Sequence, residues 1–216
     1  MLPNRGLCLA AAVGLAGALG CAPRARPLAG APAPAAVHLP RVGLGPTPER
    51  VVFRWRYGED GFSARGEGVA RVAPPDSARL DFFLDGGFGS GWAALVAGDL
   101  RTPADNVARR LIPPAPLLWA ALGRLATPAA TDTTLRVSGD TVRADLEAST
   151  TQTWRVTIVA GALVGLERLQ DGRVVERLTR QASTVRYVDV IGHRTLAIDV
   201  QRREPAATFP TTIWSR

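Results

Sequence analysis

The chain has 216 residues, with 26 basic and 19 acidic side chains and a net charge of +7. This length suits one domain with appendages, and 46% hydrophobic against 21% charged residues excludes wholesale disorder. Every basic residue is an arginine, which excludes chemistry that needs a lysine amine, such as a Schiff base or a P-loop. The high pI follows from this arginine usage, so we do not take it as a sign of a nucleic-acid partner.

The N-terminus has the pattern of an export signal. A short segment with one charge, Arg5, precedes an uncharged apolar run at 8–19. That run is too short to cross a hydrocarbon core of ~30 Å but fits the apolar region of a signal peptide. It ends in Ala-Leu-Gly-Cys at 18–21, which resembles a bacterial lipobox. The resemblance implies cleavage before Cys21 and acylation of that residue; the alternative is an ordinary signal with an incidental cysteine.

The chain divides into three predicted parts. Residues 1–20 are a lipoprotein signal peptide, 21–48 are a tether rich in Pro and Ala, and 49–216 form one domain. The tether has no helical or strand period, so we expect a semi-extended spacer of ~3 Å per residue where it is polyproline-like. Ala22 follows the cysteine where the Gram-negative sorting rule would need Asp for inner-membrane retention, which favours the outer membrane.

The domain is predicted to be mainly β-structure. In VVFRWRY, Val51, Phe53 and Trp55 alternate with Arg54 and Arg56, the pattern of a half-buried strand. Similar segments follow, separated by turn signals, and roughly ten to twelve of them indicate a large antiparallel sheet. A sheet of this size must curl around its own apolar face.

A helix interrupts the strands. Pro116 begins the segment PLLWAALGRLA, in which Leu118, Trp119 and Leu122 share a face and Arg124 is the only charge. We expect this helix to cover the apolar face of the sheet as a lid. The predicted fold class is therefore mainly β with one or two helices, a curved antiparallel sheet that forms an incompletely closed half-barrel.

Catalytic motifs are hard to find in this sequence. His193 has no second His or Cys as a metal partner, and Ser90 lacks the spacing of a nucleophile elbow. Acidic residues such as Asp81 and Asp85 fit solvated loop positions better than a pair for glycoside cleavage. We therefore expect no enzyme, no cofactor and no metal.

The order of these elements resembles the LolA/LolB lipoprotein-carrier superfamily, and LolB most closely. The segment 78–95 resembles a strand that reaches a protruding glycine-containing loop and returns, and 105–128 resembles the short helix, apolar-Pro step and lid helix of that family. The residues that carry the second match are Leu111, Ile112, Pro113, Leu118, Trp119, Gly123 and Pro128.

The resemblance implies a membrane-insertion loop at Gly86, Gly87, Phe88 and Gly89. Phe88 takes the place of the protruding apolar residue that this family uses to hand lipoproteins to the membrane. The alternative is that Phe88 folds back onto the edge of the sheet as part of the core.

The resemblance also implies an apolar cavity for acyl chains. The predicted lining comprises Phe53, Trp55, Phe82, Leu84, Trp92, Leu118, Trp119, Leu122, Trp154, Val156, Ile158, Leu196 and Ile198. A closed core with no cavity needs the same inward residues, so both alternatives remain open.

The expected protein is a lipid-anchored lipoprotein of the outer membrane that faces the periplasm and receives or inserts other lipoproteins. Its expected partners are acyl chains of lipoproteins or lipids, the membrane and a periplasmic carrier protein, with no nucleic acid; we expect a monomer. The alternatives are a free-lipid carrier, an envelope-stress sensor of the same fold, and a structural scaffold lipoprotein with a filled core.

Overall fold

The computed structural model describes residues 22–87, 89–103 and 111–214. Thirteen strands form one antiparallel sheet in the order β1-β7-β8-β9-β10-β11-β12-β13-β2-β3-β4-β5-β6, which leaves β1 and β6 as open edges. The strands are β1 (Ala31–Pro32), β2 (Glu49–Glu59), β3 (Phe62–Ala73), β4 (Ser77–Leu84), β5 (Ser90–Val96), β6 (Asp99–Arg101), β7 (Asp132–Ser138), β8 (Thr141–Glu147), β9 (Gln152–Val159), β10 (Ala162–Gln170), β11 (Arg173–Gln181), β12 (Thr184–Asp189) and β13 (Arg194–Pro205). The predicted fold class, a mainly β chain with an open antiparallel sheet, is confirmed.

Alternation in the sequence decides which face of the sheet is buried. In β2, Phe53 and Trp55 are almost fully buried, whereas Arg54 and Arg56 are exposed on the other face. On that outer face Arg54 pairs with Glu67 of the neighbouring strand at 3.4 Å. Inward residues from both halves of the sheet join a single hydrophobic core, so the sheet curls around its apolar face, which we call the concave face.

The hairpin turns lie alternately at the two ends of the sheet, because consecutive strands are antiparallel. We call one end the mouth rim; its turns are 60–61, 85–87, 148–151, 171–172 and 190–193. We call the other end the helix rim; its turns are 74–76, 97–98, 139–140, 160–161 and 182–183.

The helix α1 (Ala115–Leu122) packs on the concave face at the helix rim. Pro116 lies in its first turn, where a missing backbone N–H costs nothing. The helix ends at Leu122, short of the predicted 126, because Gly123 turns left-handed with φ 95° and its N–H bonds to the carbonyl of Ala120 at 3.0 Å.

The segment 22–48 lies along the domain, contrary to the expected free spacer. Ala22 is only 5% exposed, and its carbonyl accepts a hydrogen bond from Nη1 of Arg173 at 2.9 Å. The N–H of Val174 bonds to the carbonyl of Pro23 at 3.0 Å, so the segment begins as an added strand beside the turn at 171–172. Backbone bonds to a neighbouring strand need no side-chain period, and for this reason the sequence pattern missed them.

The rest of this segment is held in the same manner. Ala31–Pro32 pairs with β7, and the N–H of Leu125 bonds to the carbonyl of Val42 at 2.9 Å. Leu39, Val42 and Leu44 pack against the core. The chain therefore covers the open side of the sheet before β2 begins.

Candidate functional site

The middle of the concave face is filled by aromatic rings. Phe82 makes edge-to-face contacts with Phe53 and Trp55, with ring centroids 5.6 and 5.9 Å apart. Opposite them β3 carries glycines: a Cβ on Gly68 would lie 2.3 Å from the Phe53 ring, and one on Gly66 only 1.8 Å from the carbonyl oxygen of Phe83. Glycine at position 68 gives the Phe53 ring its space, and glycine at position 66 allows the backbone of β4 to approach closely.

The helix rim of the concave face is closed by α1. Leu117 and Leu118 are fully buried, and the indole N–H of Trp119 donates to the carbonyl of Ala97 in the β5–β6 turn at 3.2 Å. This bond joins the helix to a hairpin of the sheet, so the apolar interior is sealed at this end.

Most of the predicted cavity residues meet in this one core. Phe53, Trp55, Phe82, Leu118, Trp119, Trp154, Val156, Ile158, Leu196 and Ile198 are buried together, and Leu84 and Leu122 are partly buried against them. In the part of the chain that the structure describes, these side chains pack on each other and on α1.

Trp92 does not join them, because it lies on the outer face of the sheet. It pairs in register with Asp81, and the Arg79 guanidinium lies 4.8 Å from the centre of its ring. Leu95, three residues on, faces inward, and residues an odd number of positions apart on a strand point to opposite faces. The outer face here is also covered by the C-terminal 3-10 helix Thr211–Trp214, whose Ile213 carbonyl accepts a bond from Arg79 at 2.9 Å.

A pocket of about 710 Å³ opens on the concave side of the mouth rim. Its apolar lining is formed by Tyr57, Phe62, Ala64 and Leu84, and its polar border by Arg56, Ser63, Arg65 and Asp85, the last of which begins the glycine-rich loop. Its volume falls in the range of about 300–1,000 Å³ that is typical of small-molecule sites. We call this pocket the mouth.

The loop beside the mouth is exposed, and its backbone has positive φ angles that glycine adopts readily. Gly86, Gly87 and Gly89 have φ angles of 89°, 78° and 129°, a region in which residues with a Cβ are unfavourable. The loop is closed by a bond from the N–H of Leu84 to the carbonyl of Gly89 at 3.1 Å. Phe88, like Cys21, lies outside the described residues.

A buried ionic group continues the concave face from the mouth across β10, β11 and β12. Glu176 is 3% exposed and accepts hydrogen bonds from the Tyr187 hydroxyl at 2.6 Å and from Nε of Arg168 at 2.5 Å. Burial, and after it the hydrogen bond to Glu176, raises the pKa of Tyr187 far above its ordinary value.

A second carboxylate lies directly opposite Glu176 in the sheet. Asp189 is buried, binds the guanidinium of Arg194 and accepts a bond from the N–H of Gly192 at 2.7 Å. Burial lowers the pKa of Arg194, but its hydrogen bond and charge interaction with Asp189 outweigh this, and the net direction is upward. We call Arg168, Glu176, Tyr187, Asp189 and Arg194 the polar ring.

Sequence analysis missed the polar ring, although a signal was present. In RVVERLTR, Glu176 is two residues from the inward Leu178, so it lies on the same face of the strand. In TVRYVD, Asp189 lies on the same face as the inward Val185 and Tyr187 for the same reason. A carboxylate at an inward position of an alternating strand must be paired with a cation or hydrogen-bond donors. An acidic residue at an inward position of a predicted strand therefore indicates a buried ionic group.

A further basic pocket lies at the helix rim. Arg180 and Arg203, together with Leu122, Gly123 and the segment 42–49, surround a volume of about 390 Å³. Burial, followed by repulsion from Arg203, lowers the pKa of Arg180. Its Nη1 lies close to Gly123 at the end of α1, where a cation is favoured by the helix dipole.

The described residues contain neither a membrane-spanning helix nor a cluster of metal ligands. Across 22–87, 89–103 and 111–214 no helix is long and apolar enough to cross a membrane. The same residues hold no group of three or more His, Cys, Asp or Glu side chains placed for a metal ion.

The fold, but not the sequence, is similar to that of known proteins. No family model and no curated protein matches the sequence. The fold is similar to that of a LolA superfamily protein from Nitrosomonas europaea, with a TM-score of 0.52, 10% identity, and coverage of 80% of this chain and 92% of the other. A domain from Vibrio parahaemolyticus described as an outer membrane lipoprotein-sorting protein has a TM-score of 0.45, 7% identity, and coverage of 79% and 90%. The chain therefore has the fold of the LolA superfamily, as the resemblance in its sequence predicts.

Proposed function

We propose that this chain is a lipid-anchored lipoprotein of the outer membrane that binds acyl chains through the mouth and takes part in receiving or inserting lipoproteins there. The observation that carries the proposal is the mouth itself, a pocket of about 710 Å³ with apolar and charged walls at the open end of a LolA-like sheet, directly beside the glycine-rich loop. The other end of the concave face is closed by α1, so the mouth is the side from which a ligand enters.

The chemistry of the mouth suits an amphiphile. An acyl chain laid against Tyr57, Phe62 and Leu84 leaves water, and each buried methylene contributes about 0.8 kcal/mol without a specific polar contact. The polar end of the ligand then lies toward the polar ring, whose charges are already paired, so ionic selectivity is not expected. A chain longer than the mouth reaches the aromatic core, and α1 must shift to admit it.

The remaining parts of the proposal follow from the sequence. Cys21 carries the lipid that anchors the chain, a periplasmic carrier delivers the clients, and Phe88 on the loop 86–89 inserts into the leaflet during release. The domain that does this comprises residues 49–216 with the segment 22–48 packed along it, acts as a monomer and performs no catalysis. The LolB-like form of this role is the one that we propose.

A second function has an observation in its favour. The predicted cavity residues are buried against each other, and rings such as Phe53, Trp55 and Phe82 fill the middle of the concave face. A closed interior of this kind is what a structural scaffold lipoprotein needs. Under that alternative the protein takes up no acyl chain.

Binding of a fluorescent acyl probe to the detergent-free protein separates the two functions. Ala64→Trp puts a large side chain into the mouth, and we expect the probe to bind at least about tenfold more weakly, a loss of 1.4 kcal/mol. Thr134→Trp, on an exposed part of β7, is the matched control and should bind as the native chain does. Binding that survives Ala64→Trp would place the acyl site elsewhere, and a native chain that binds no probe would favour the scaffold.

The anchor is tested separately. Cys21→Ser removes the thiol that the lipobox resemblance implies is acylated, so mass spectrometry should show loss of the acyl mass. Membrane fractionation should show the variant soluble or retained with its signal peptide. An unchanged acyl mass would remove the anchor from the proposal.

A further inference from the structure

The pocket around Arg180 and Arg203, which we call the basic pocket, contains a cation that the described residues do not neutralise. Arg180 of β11 donates one hydrogen bond, from Nη1 to the carbonyl oxygen of Leu163 at 3.4 Å, which is longer than usual. Its Nε is enclosed and has no hydrogen-bond partner. Across the described ranges Arg180 forms no ion pair, and the acidic residue of the pocket, Glu49, binds Arg203 instead at 2.7 Å. The guanidinium of Arg180 therefore keeps donors that no described atom accepts.

In this respect Arg180 differs from Arg155, a partly buried arginine of β9. Arg155 binds Asp145 through two hydrogen bonds of 2.7 and 2.8 Å, which raise its pKa despite burial. Burial lowers the pKa of Arg180, repulsion from Arg203 lowers it further, and the attraction of Glu49 does not offset them. Removing a cation from water without a counter-ion is unfavourable. An anion from outside the chain would supply the partner that the fold lacks.

The end of α1 does not supply that partner. The carbonyls of Trp119 and Ala120 accept the N–H groups of Arg124 and Gly123, each at 3.0 Å, and they receive no hydrogen bond from Arg180. The helix dipole favours a cation near this end, but it provides no acceptor for the free donors of a guanidinium. The helix therefore accounts for the position of Arg180 and not for its missing partner.

The space beside Arg180 has the size and lining of a small-ligand site. Its volume of about 390 Å³ lies in the range of about 300–1,000 Å³ that such sites occupy. Leu44 and Leu122 contribute apolar surface, and a Cβ added to Gly43 would meet no atom within 4 Å, so the space is open. The charged residues of the lining are two arginines and one glutamate, which leaves one net positive charge. A ligand with one negative charge would neutralise it.

We infer that the basic pocket binds a small ligand with one negatively charged oxyanion, a carboxylate or a phosphodiester, on a short apolar body. The oxyanion accepts hydrogen bonds from Arg180 and lies near Arg203, and the apolar body rests on Leu44 and Leu122. Arginine suits this role because its planar set of donors matches the oxygens of such groups. The mouth lies at the opposite rim of the sheet, so this site is separate from the acyl site and goes beyond the proposed function.

A titration followed by fluorine NMR tests the site with the detergent-free protein. The probe is para-fluorobenzoate, and para-fluorobenzamide, which has a similar shape and no charge, is the matched control ligand. We expect the benzamide to bind at least about tenfold more weakly, because it cannot neutralise Arg180. Equal affinities of the two compounds overturn the inference. Displacement of the bound probe by diethyl phosphate supports a site for phosphodiesters as well, and resistance to it supports a site for carboxylates alone.

Two substitutions change the charge of the pocket in opposite directions. Arg180→Gln removes the cation that lacks a partner and should weaken para-fluorobenzoate at least about tenfold, whereas Glu49→Gln removes the competing anion and should tighten it about threefold. Arg186→Gln, at an exposed position of β12, removes the same charge elsewhere and should leave the affinity unchanged. Equal weakening by Arg180→Gln and Arg186→Gln would mean attraction to the net charge of the chain, which overturns the inference.

Urea unfolding without the probe separates binding from a structural role of Arg180. Arg180→Gln should unfold at the native midpoint, because it removes a cation that has no counter-ion. A lower midpoint with unchanged affinity for para-fluorobenzoate would assign Arg180 to the end of α1 alone and overturn the inference. If Arg180→Gln does not fold, Glu49→Gln decides, since unchanged or weaker binding there overturns the inference too.

The mouth is excluded as the binding site of the probe by a further variant. Ala64→Trp fills the mouth and should leave the affinity for para-fluorobenzoate unchanged, whereas it should weaken the acyl probe. Loss of para-fluorobenzoate binding in Ala64→Trp would place this ligand in the mouth and overturn the inference. Failure of the acyl probe to bind the native chain would reject the proposed function and leave the anion site standing.

Discussion

The two rims of the sheet differ in what their interior residues do. At the helix rim, α1 and the turn 97–98 close a core in which Leu117 and Leu118 are fully buried. At the mouth rim, the concave face ends in a pocket and a ring of paired charges, and hydrophobic side chains are left in solvent. The comparison indicates that one end carries the stability of the fold, which allows the other end to keep surfaces that are unfavourable for folding but useful for binding.

The largest expected effect tests that division directly. Leu117→Ala removes a fully buried side chain between α1 and the sheet, and we expect the free energy of unfolding to fall by about 3 kcal/mol. Leu84→Ala, at the partly exposed mouth, should cost about 1 kcal/mol and weaken the acyl probe instead. Urea unfolding measures both, and similar costs for the two variants would mean that stability is spread evenly over the two rims.

The next effect concerns the polar ring. Glu176→Gln removes a buried charge that Arg168 and Tyr187 both face, and we expect a loss of about 2 kcal/mol, because Arg168 is partly exposed and keeps some hydration. Glu167→Gln is the matched control on the outer face, where Glu167 pairs with the half-exposed Arg177. It should cost about 0.5 kcal/mol.

Urea unfolding at pH 7 compares these two glutamate variants. Equal losses would mean that the inner pair is as well hydrated as the outer one. In that case the concave face at the mouth rim is wetter than its burial indicates, and the contrast between the rims becomes weaker.

Much of the fold could be predicted from local patterns. The alternation through Phe53 and Trp55 identified a strand with one buried face, and Pro116 with the stripe of Leu118 and Trp119 identified α1. Both are local signals whose consequence, burial of one face, does not depend on which other element supplies the covering surface. The end of α1 was missed because the left-handed Gly123 stops the helix within a sequence that remains apolar.

The features of the fold that could not be predicted depend on which face of the sheet a residue occupies, or on backbone partners that are distant in the sequence. Trp92 follows an irregular loop. The alternation of inward and outward residues in β4 cannot be carried across such a loop, so the sequence does not show which face Trp92 lies on. The course of 22–48 is set by backbone bonds to β7 and to the turn 171–172, which leave no pattern in the sequence. The mouth depends on how β2, β3 and β4 meet at one rim of the sheet, so it became visible only in the structure.

The smallest expected effect at neutral pH is that of Tyr187→Phe, and its pH dependence is the sharper test. Loss of the hydroxyl that donates to Glu176 should cost about 1 kcal/mol at pH 7. Burial is the first cause that raises the pKa of Tyr187, so the folded chain keeps this proton after the unfolded chain begins to release it near pH 10. The free energy of unfolding should therefore fall by about 1.4 kcal/mol per pH unit above pH 10, and the variant should lack this slope.

The composition of the chain makes that slope easy to measure. With no lysine and only two tyrosines in the sequence, few side chains of the unfolded chain release a proton near pH 10 besides that of Tyr187, while the arginines keep their charge. Tyr57→Phe keeps Tyr187 and should keep its slope, which makes it the control. A native slope in Tyr187→Phe would mean that a group other than Tyr187 causes it. A slope that disappears with Tyr187 alone would mean that the mouth rim, although open to ligands at its surface, excludes water from the hydroxyl of Tyr187 one strand pair further in.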